Sequence, residues 1–186
     1  EGEIKCYDLT SSSLVRVGGI LGYQATSASQ ITNATNKGNI FVSNVTAKEL
    51  YVGGISSAIT GGLAPNGELV NVGNISISNI TTTTAGAAYT GGIVGSSVVS
   101  VDGAKCYCSI NTQANPNTGF IFGVPRSATA VAKNCQIGGE IATEYDEDED
   151  VYLTEKISSN NFYKYIYGGG TTDWTGVEGY DGCSWL

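Results

Sequence analysis

Residues 38–55 read GNIFVSNVTAKELYVGGI, and residues 73–93 read GNISISNITTTTAGAAYTGGI. The phrase G-N-I-x-[VI]-S-N-[VI]-T recurs without a gap at an offset of 35 residues, and Y-[VT]-G-G-I recurs at an offset of 38. Two recurring phrases joined by a stretch of variable length are the mark of stacked solenoid coils. Within each phrase the period is two: Ile40 and Val42 point one way, Phe41 and Ser43 the other, and Ile75 and Ile77 repeat the pattern. Such alternation reads as a half-buried strand.

From this pair the frame extends in both directions. One column takes Cys6, Ala34, Leu69, Cys106 and Cys135. A second takes Gly18-Gly19-Ile20, Gly53-Gly54-Ile55, Gly91-Gly92-Ile93 and the degenerate Phe122-Gly123-Val124, with Tyr167-Gly168-Gly169 as a fifth member. A repeat of some 30 residues has no room for a strand, a crossover helix and two loops, but holds two or three strands with bends. The expectation is an all-β, right-handed parallel β-helix of about five coils, roughly 24 Å tall at about 4.8 Å per coil. Residues 1–159 form the repeats, entered mid-repeat as if coils were missing upstream. The aromatic-rich stretch 160–186 is read as the C-terminal cap of the same domain, because an open solenoid end needs cover.

Composition agrees with many short strands and tight turns. The 186 residues include 26 Gly, 3 Pro and 14% charged residues. A net charge of −8 with nine scattered basic residues argues against nucleic acid. No run is long and apolar enough for a membrane span. Four N-x-[ST] sequons, at Asn33, Asn44, Asn74 and Asn79, are what this content of Asn, Ser and Thr yields by chance. Asn36 with Asn71, and Asn44 with Asn79, recur at coil spacing and are read as turn-stabilising amide ladders rather than a binding row. The segments 56–66, 81–88, 111–118 and 144–159 are read as excursions between columns.

The phrases G-G-I-L-G (18–22), G-G-I-V-G (91–95), K-C-Y (5–7 and 105–107) and K-N-C-Q-I-G-G-E-I (133–141) resemble the GLUG-type repeats of bacterial surface proteins. The tail Y-I-Y-G-G-G-T-T-D-W-T-G is similar to C-terminal ends of Bacteroidetes cell-surface proteins. The resemblance implies a β-helical segment at the bacterial cell surface, adhesin-like, with no catalytic residue to carry over. Ala34 and Leu69 depart from it where Cys is replaced, and Phe122 where the first Gly is lost.

The chain contains no histidine, which removes Ser-His-Asp and Cys-His nucleophile systems and the usual zinc sites. Parallel β-helices can carry polysaccharide hydrolases or lyases, and hydrolysis needs two facing carboxylates. Asp8, aligned with Asn36, Asn71 and Cys108, and Asp102, outside the repeat phrase, have no evident partner; a lyase base would be Arg16 or Arg126. The reading is therefore non-enzymatic: an extracellular segment making adhesive contact with a glycan or a host or cell-surface protein, as a monomer or part of a longer chain, with a purely structural stalk as the other alternative. Tyr163, Tyr165, Tyr167 and Trp174 are the candidate sugar-stacking platform, weighed against cap packing. Asp146, Asp148 and Asp150 match the first three ligands of a Ca²⁺ loop, but Val151 and Ile157 stand where Gly and Glu belong. A solvated acidic loop is favoured over weak Ca²⁺ binding, and no other cofactor is expected. Cys106 and Cys108 are expected on opposite strand faces, and Cys6, Cys106 and Cys135 as inward thiols of one column.

Overall fold

In Asn39–Ala47 the buried side chains are Ile40, Val42, Val45 and Ala47. The period-two rhythm therefore skips a beat between Val42 and Val45, and Asn44 sits in that gap with φ +54°. The same left-handed residue recurs one coil away on either side, as Asp8 (φ 52°) and Asn79 (φ 54°). Asn and Asp tolerate this conformation better than other side chains bearing a β-carbon. At Asn44 the turn lets Val42 and Val45, on either side of it, face one core.

The computed structural model describes residues 2–26, 28–61, 64–115, 117–168 and 182–186. The chain is a parallel β-solenoid of about four turns. Its long sheet stacks Glu3–Thr10, Asn39–Ala47, Ile75–Thr82, Lys105–Asn111, Gln136–Asp146 and Ser184–Trp185. Thr32–Asn36 and Asn66–Asn71 pair within the same sheet. A second sheet stacks Leu14–Gly18, Glu49–Gly53, Ala88–Gly91 and Thr118–Gly119. A third stacks Ser56–Ile59, Val94–Ser97 and Phe122–Pro125, so 56–59 is buried strand rather than part of an excursion. The core between the sheets is made of columns such as Ile40, Ile75 and Ile110, each at most 1% exposed.

The Gly-Gly corners joining the second and third sheets have a steric cause. A β-carbon on Gly54 would collide with the Gly92 carbonyl and the Asn71 amide. Asn71 is fully buried. Its Oδ1 accepts from Asn36 Nδ2 at 2.9 Å and from the Gly73 N–H at 3.2 Å, and its Nδ2 donates to Gly73 O at 3.1 Å. Outside, Asn79 Nδ2 donates to Asn44 Oδ1 (3.1 Å), and Asn44 Nδ2 to Asp8 Oδ1 (2.9 Å). The inner ladder fastens the turn at Gly73, and the outer ladder links side chains from coil to coil.

Several registers differ from the sequence reading. Cys6 pairs with Val42, not Ala34, and Asp8 consequently stands beside Asn44. Cys106 pairs with Asn71 and Ile137, so Cys6, Cys106 and Cys135 lie in three columns rather than one. These slips are by even numbers of residues, which leave every side chain on its own face and are invisible to alternation. Cys106 and Cys108 face the same side, as residues two apart on a strand must, with their sulfurs 3.3 Å apart. The fourth glycine corner is Gly119-Phe120-Ile121, since Gly119 pairs with Gly91. Ile166, rather than the third residue of Tyr167-Gly168-Gly169, continues its isoleucine column, its carbonyl accepting from the Ile121 N–H at 3.0 Å.

The C-terminal aromatic cluster closes the last turn. Phe162, Tyr163, Tyr165 and Trp185 pack on the core, Phe120 meets Trp185 edge-on at 6.1 Å, and Phe122 stacks on Tyr167 at 5.5 Å.

Candidate functional site

In the second sheet the odd-even split sends Val15, Val17, Leu50 and Val52 into the core and turns the residues between them outward. Pairing then places Arg16, Tyr51 and Tyr89 in one outward column, one per coil. The Tyr51 and Tyr89 rings stack with centroids 5.4 Å apart and planes 12° apart, the geometry expected when identical side chains repeat at strand spacing. Arg126 leaves the end of Phe122–Pro125, its N–H donating to Ser97 O at 2.7 Å. Its guanidinium folds back over both rings, 5.5 Å from Tyr51 and 5.1 Å from Tyr89. Arg126 also donates to the Tyr51 hydroxyl and lies 3.6 Å from Glu49 Oε2, while the Tyr51 hydroxyl donates to Glu49. One coil along, the Arg16 guanidinium covers the Tyr23 ring at 4.2 Å. The Tyr23 hydroxyl shares a hydrogen bond with Thr60 Oγ1 at 2.6 Å.

The result is a strip of rings and guanidinium planes running across successive coils. It contains both arginines of the sequence, in a chain of net charge −8. Burial, aided by the hydrogen bond to Glu49, pushes the Tyr51 phenol up to about 12 against the opposing pull of Arg126, so the Tyr51 hydroxyl keeps its proton at neutral pH. Arg126 is ion-paired to Glu49, yet its side chain remains 40% exposed. A guanidinium carries five donors in a planar fork, more than Tyr51 and Glu49 take up. Arg16 Nε is buried without a hydrogen-bond acceptor. Tyr23 remains 41% exposed with Arg16 over its ring. Chemically, the strip can stack apolar ring faces and donate paired hydrogen bonds to carboxylate, sulfate or hydroxyl oxygens.

The residues singled out in the sequence lie elsewhere. Tyr167 is withdrawn as a platform: it is buried against Phe122, and its hydroxyl accepts from the Ala132 N–H at 2.7 Å. Tyr163 and Tyr165 are half-buried in the cap, and the Tyr165 hydroxyl donates to Glu155. Trp174 lies outside the described residues. Asp146, Asp148 and Asp150 fall at the turn of a hairpin in which Gln136–Asp146 pairs antiparallel with Val151–Thr154. Asp146 Oδ1 accepts from the N–H groups of Asp148 (3.0 Å) and Glu149 (3.2 Å), and Asp150 accepts from the Tyr145 hydroxyl. Among the described residues no three acidic or thiol side chains converge on a point that could hold a metal.

Asp102 lines a concavity together with a second carboxylate. It shares an open concavity of 620 Å³ with Glu68, Ser100 and Lys133. Glu68 is ion-paired with Lys105, and Asp102 Oδ1 accepts from Asn134 Nδ2 at 2.9 Å.

The strip's members are scattered from residue 16 to residue 126, and only stacking unites them. A signal was nevertheless present: Arg16-Val17-Gly18, Tyr51-Val52-Gly53 and Tyr89-Thr90-Gly91 place a large planar side chain two residues before each glycine corner. Comparison of the chain with protein-family models, with curated proteins and with solved structures finds no match.

Proposed function

We propose that this chain is a non-enzymatic, extracellular adhesion segment of a bacterial surface protein, and that it contacts glycans through Tyr23, Tyr89 and Arg126, with Arg16 and the buried Tyr51 supporting them from beneath. The observation that carries the reading is the stack of rings and guanidinium planes across successive coils, a surface suited to sugar faces and their polar substituents. The GLUG-type phrases support the surface setting. Calorimetric titration with an acidic oligosaccharide (oligogalacturonate) and a neutral one (cello-oligosaccharide) tests it. At least one should bind, and Tyr23→Ala or Arg126→Gln should weaken binding about tenfold, about 1.4 kcal/mol, without altering the circular dichroism. Binding by neither sugar, or equal binding by the variants, would refute it.

The Glu68–Asp102 concavity favours a second reading, polysaccharide hydrolysis by paired carboxylates. Release of reducing ends that disappears in Glu68→Gln would replace the first reading by this one.

A further inference from the structure

We propose that Cys135 and Cys183 are a disulfide-forming pair that staples the strand Ser184–Trp185 to the last full turn of the solenoid. The inference is independent of the proposed glycan contact and rests on register. Gln136 pairs with Ser184 and Ile137 with Trp185, so the residues immediately before them stand side by side on adjacent strands. The ladder is pinned on both sides of the pair: the Ser184 N–H donates to Cys135 O at 2.8 Å, and the Leu186 N–H to Ile137 O at 3.0 Å. Cys135 and Ile137 are buried inward, and Cys183 and Trp185 pack against the same core, which puts both sulfurs on one face. The Cys135 N–H already points at Cys183 Sγ, 3.4 Å away. Neighbouring strands lie about 4.8 Å apart, inside the Cα window of about 4.4–6.8 Å that a disulfide spans.

The other thiols are placed differently. Cys106 and Cys108 bring their sulfurs to 3.3 Å, but they sit in one strand and are both buried, beyond the reach of an external oxidant. Cys6 stacks on Val42. Cys183 alone combines partial exposure with a thiol in the adjacent position.

The chemistry is thiol–disulfide exchange with a small-molecule or protein disulfide donor. The Cys183 thiolate attacks one donor sulfur, forming a mixed disulfide and releasing one donor thiol. Cys135 then gives its proton to solvent and attacks Cys183 Sγ, expelling the second donor thiol. Two protein thiols are oxidised and one donor disulfide is reduced. The hydrogen bond with Cys183, together with burial, holds the Cys135 thiol far above its ordinary range.

The full chain, incubated with oxidised glutathione, blocked with N-ethylmaleimide and cut with trypsin, tests the pairing by mass spectrometry. Cleavage after Lys133, Lys156 and Lys164 separates Cys135 (134–156) from Cys183 (165–186), while Cys106 and Cys108 stay together in 106–126. The expected product joins 134–156 to 165–186, with 106–126 doubly alkylated. Hydrogen exchange of the Ser184 and Leu186 amides should slow at least tenfold on oxidation. Dithiothreitol should reverse the protection, and Cys183→Ser, its circular dichroism unchanged, should show none. The proposal is overturned if Cys135 and Cys183 remain thiols, if glutathione stays on Cys183, if the cross-link forms within 106–126, or if exchange is indifferent to oxidation.

Discussion

Replacing Asn71 by Ala removes one buried side chain that serves three partners. The Gly73 N–H loses its side-chain acceptor, Asn36 Nδ2 keeps Gly38 O but loses its second acceptor, and Gly73 O loses its side-chain donor. All three bonds are buried, and a buried polar group left without a partner costs about 1–3 kcal/mol. Allowing for partial relaxation, the variant should lose about 3–6 kcal/mol, a large share of the roughly 5–15 kcal/mol that holds a domain folded. With a urea m-value of about 2 kcal/mol/M, the unfolding midpoint should fall by about 1.5–3 M. Asn44→Gly is the comparison: it deletes the exposed ladder but relieves the positive φ, so its midpoint should move by less than about 0.5 M. Urea unfolding followed by far-ultraviolet circular dichroism measures both. If Asn71→Ala moves the midpoint no further than Asn44→Gly at equal m, the buried amide does not sustain the corner and the reasoning fails.

Three more outcomes are expected. Ile75→Asp buries a carboxylate between Ile40 and Ile110 and should cost about 4 kcal/mol or more, whereas Ile75→Val should cost about 0.5–1.5 kcal/mol; melting temperatures compare them. Gly54→Ala meets backbone and the Asn71 amide and should lose about 3 kcal/mol or more, while Gly22→Ala, with open space around it, should stay within about 0.5 kcal/mol. Tyr51 and Tyr167 are both pushed up to about 12 from 10, burial being the first cause. Because the folded state holds these protons more tightly, their contribution is complete below pH 10 and is lost as pH rises through about 12. Phenolate absorbance should therefore leave two of the eleven tyrosines to ionise last, together with unfolding; ionisation of all eleven near pH 10 with the fold intact would contradict this.

The in-register pairing of Ile40 with Ile75, of Ala34 with Leu69, and of Gly18 with Gly53 and Gly91 was legible because each is fixed by a phrase longer than one residue type. Cys6 and Cys106 were misplaced because a single cysteine carried the alignment and even-numbered slips keep the inside-outside pattern. Gly119-Phe120-Ile121 was missed since Phe120 replaces the second glycine; at this coil a large side chain fits, and it packs against Trp185. Tyr167 was read as platform because aromatic residues look alike as platform and as core, and it is core. The strip was overlooked because its members share a column rather than a stretch of chain, and Arg126 reaches it from a different sheet.

One corner shows how the solenoid separates change of length from change of surface. Between Asn39–Ala47 and Glu49–Gly53 the chain needs only Lys48, whereas between Ile75–Thr82 and Ala88–Gly91 it spends residues 83–87. Pairing runs at an offset of 35 up to Ala47 and Thr82, then at 38 from Leu50 and Ala88. The bonds Thr83 N–H to Ala47 O (2.9 Å) and Leu50 N–H to Ala87 O (2.9 Å) close the ladder on both sides of the surplus. Added length is thus ejected sideways and never reaches the axis. Lengthening such a loop carries a penalty that grows only with the logarithm of its length, about 0.6 kcal/mol per doubling, while the spacing of Tyr51 over Tyr89 remains one strand step. The rim can diversify by insertion and deletion, and the strip by substitution, each without asking anything of the other.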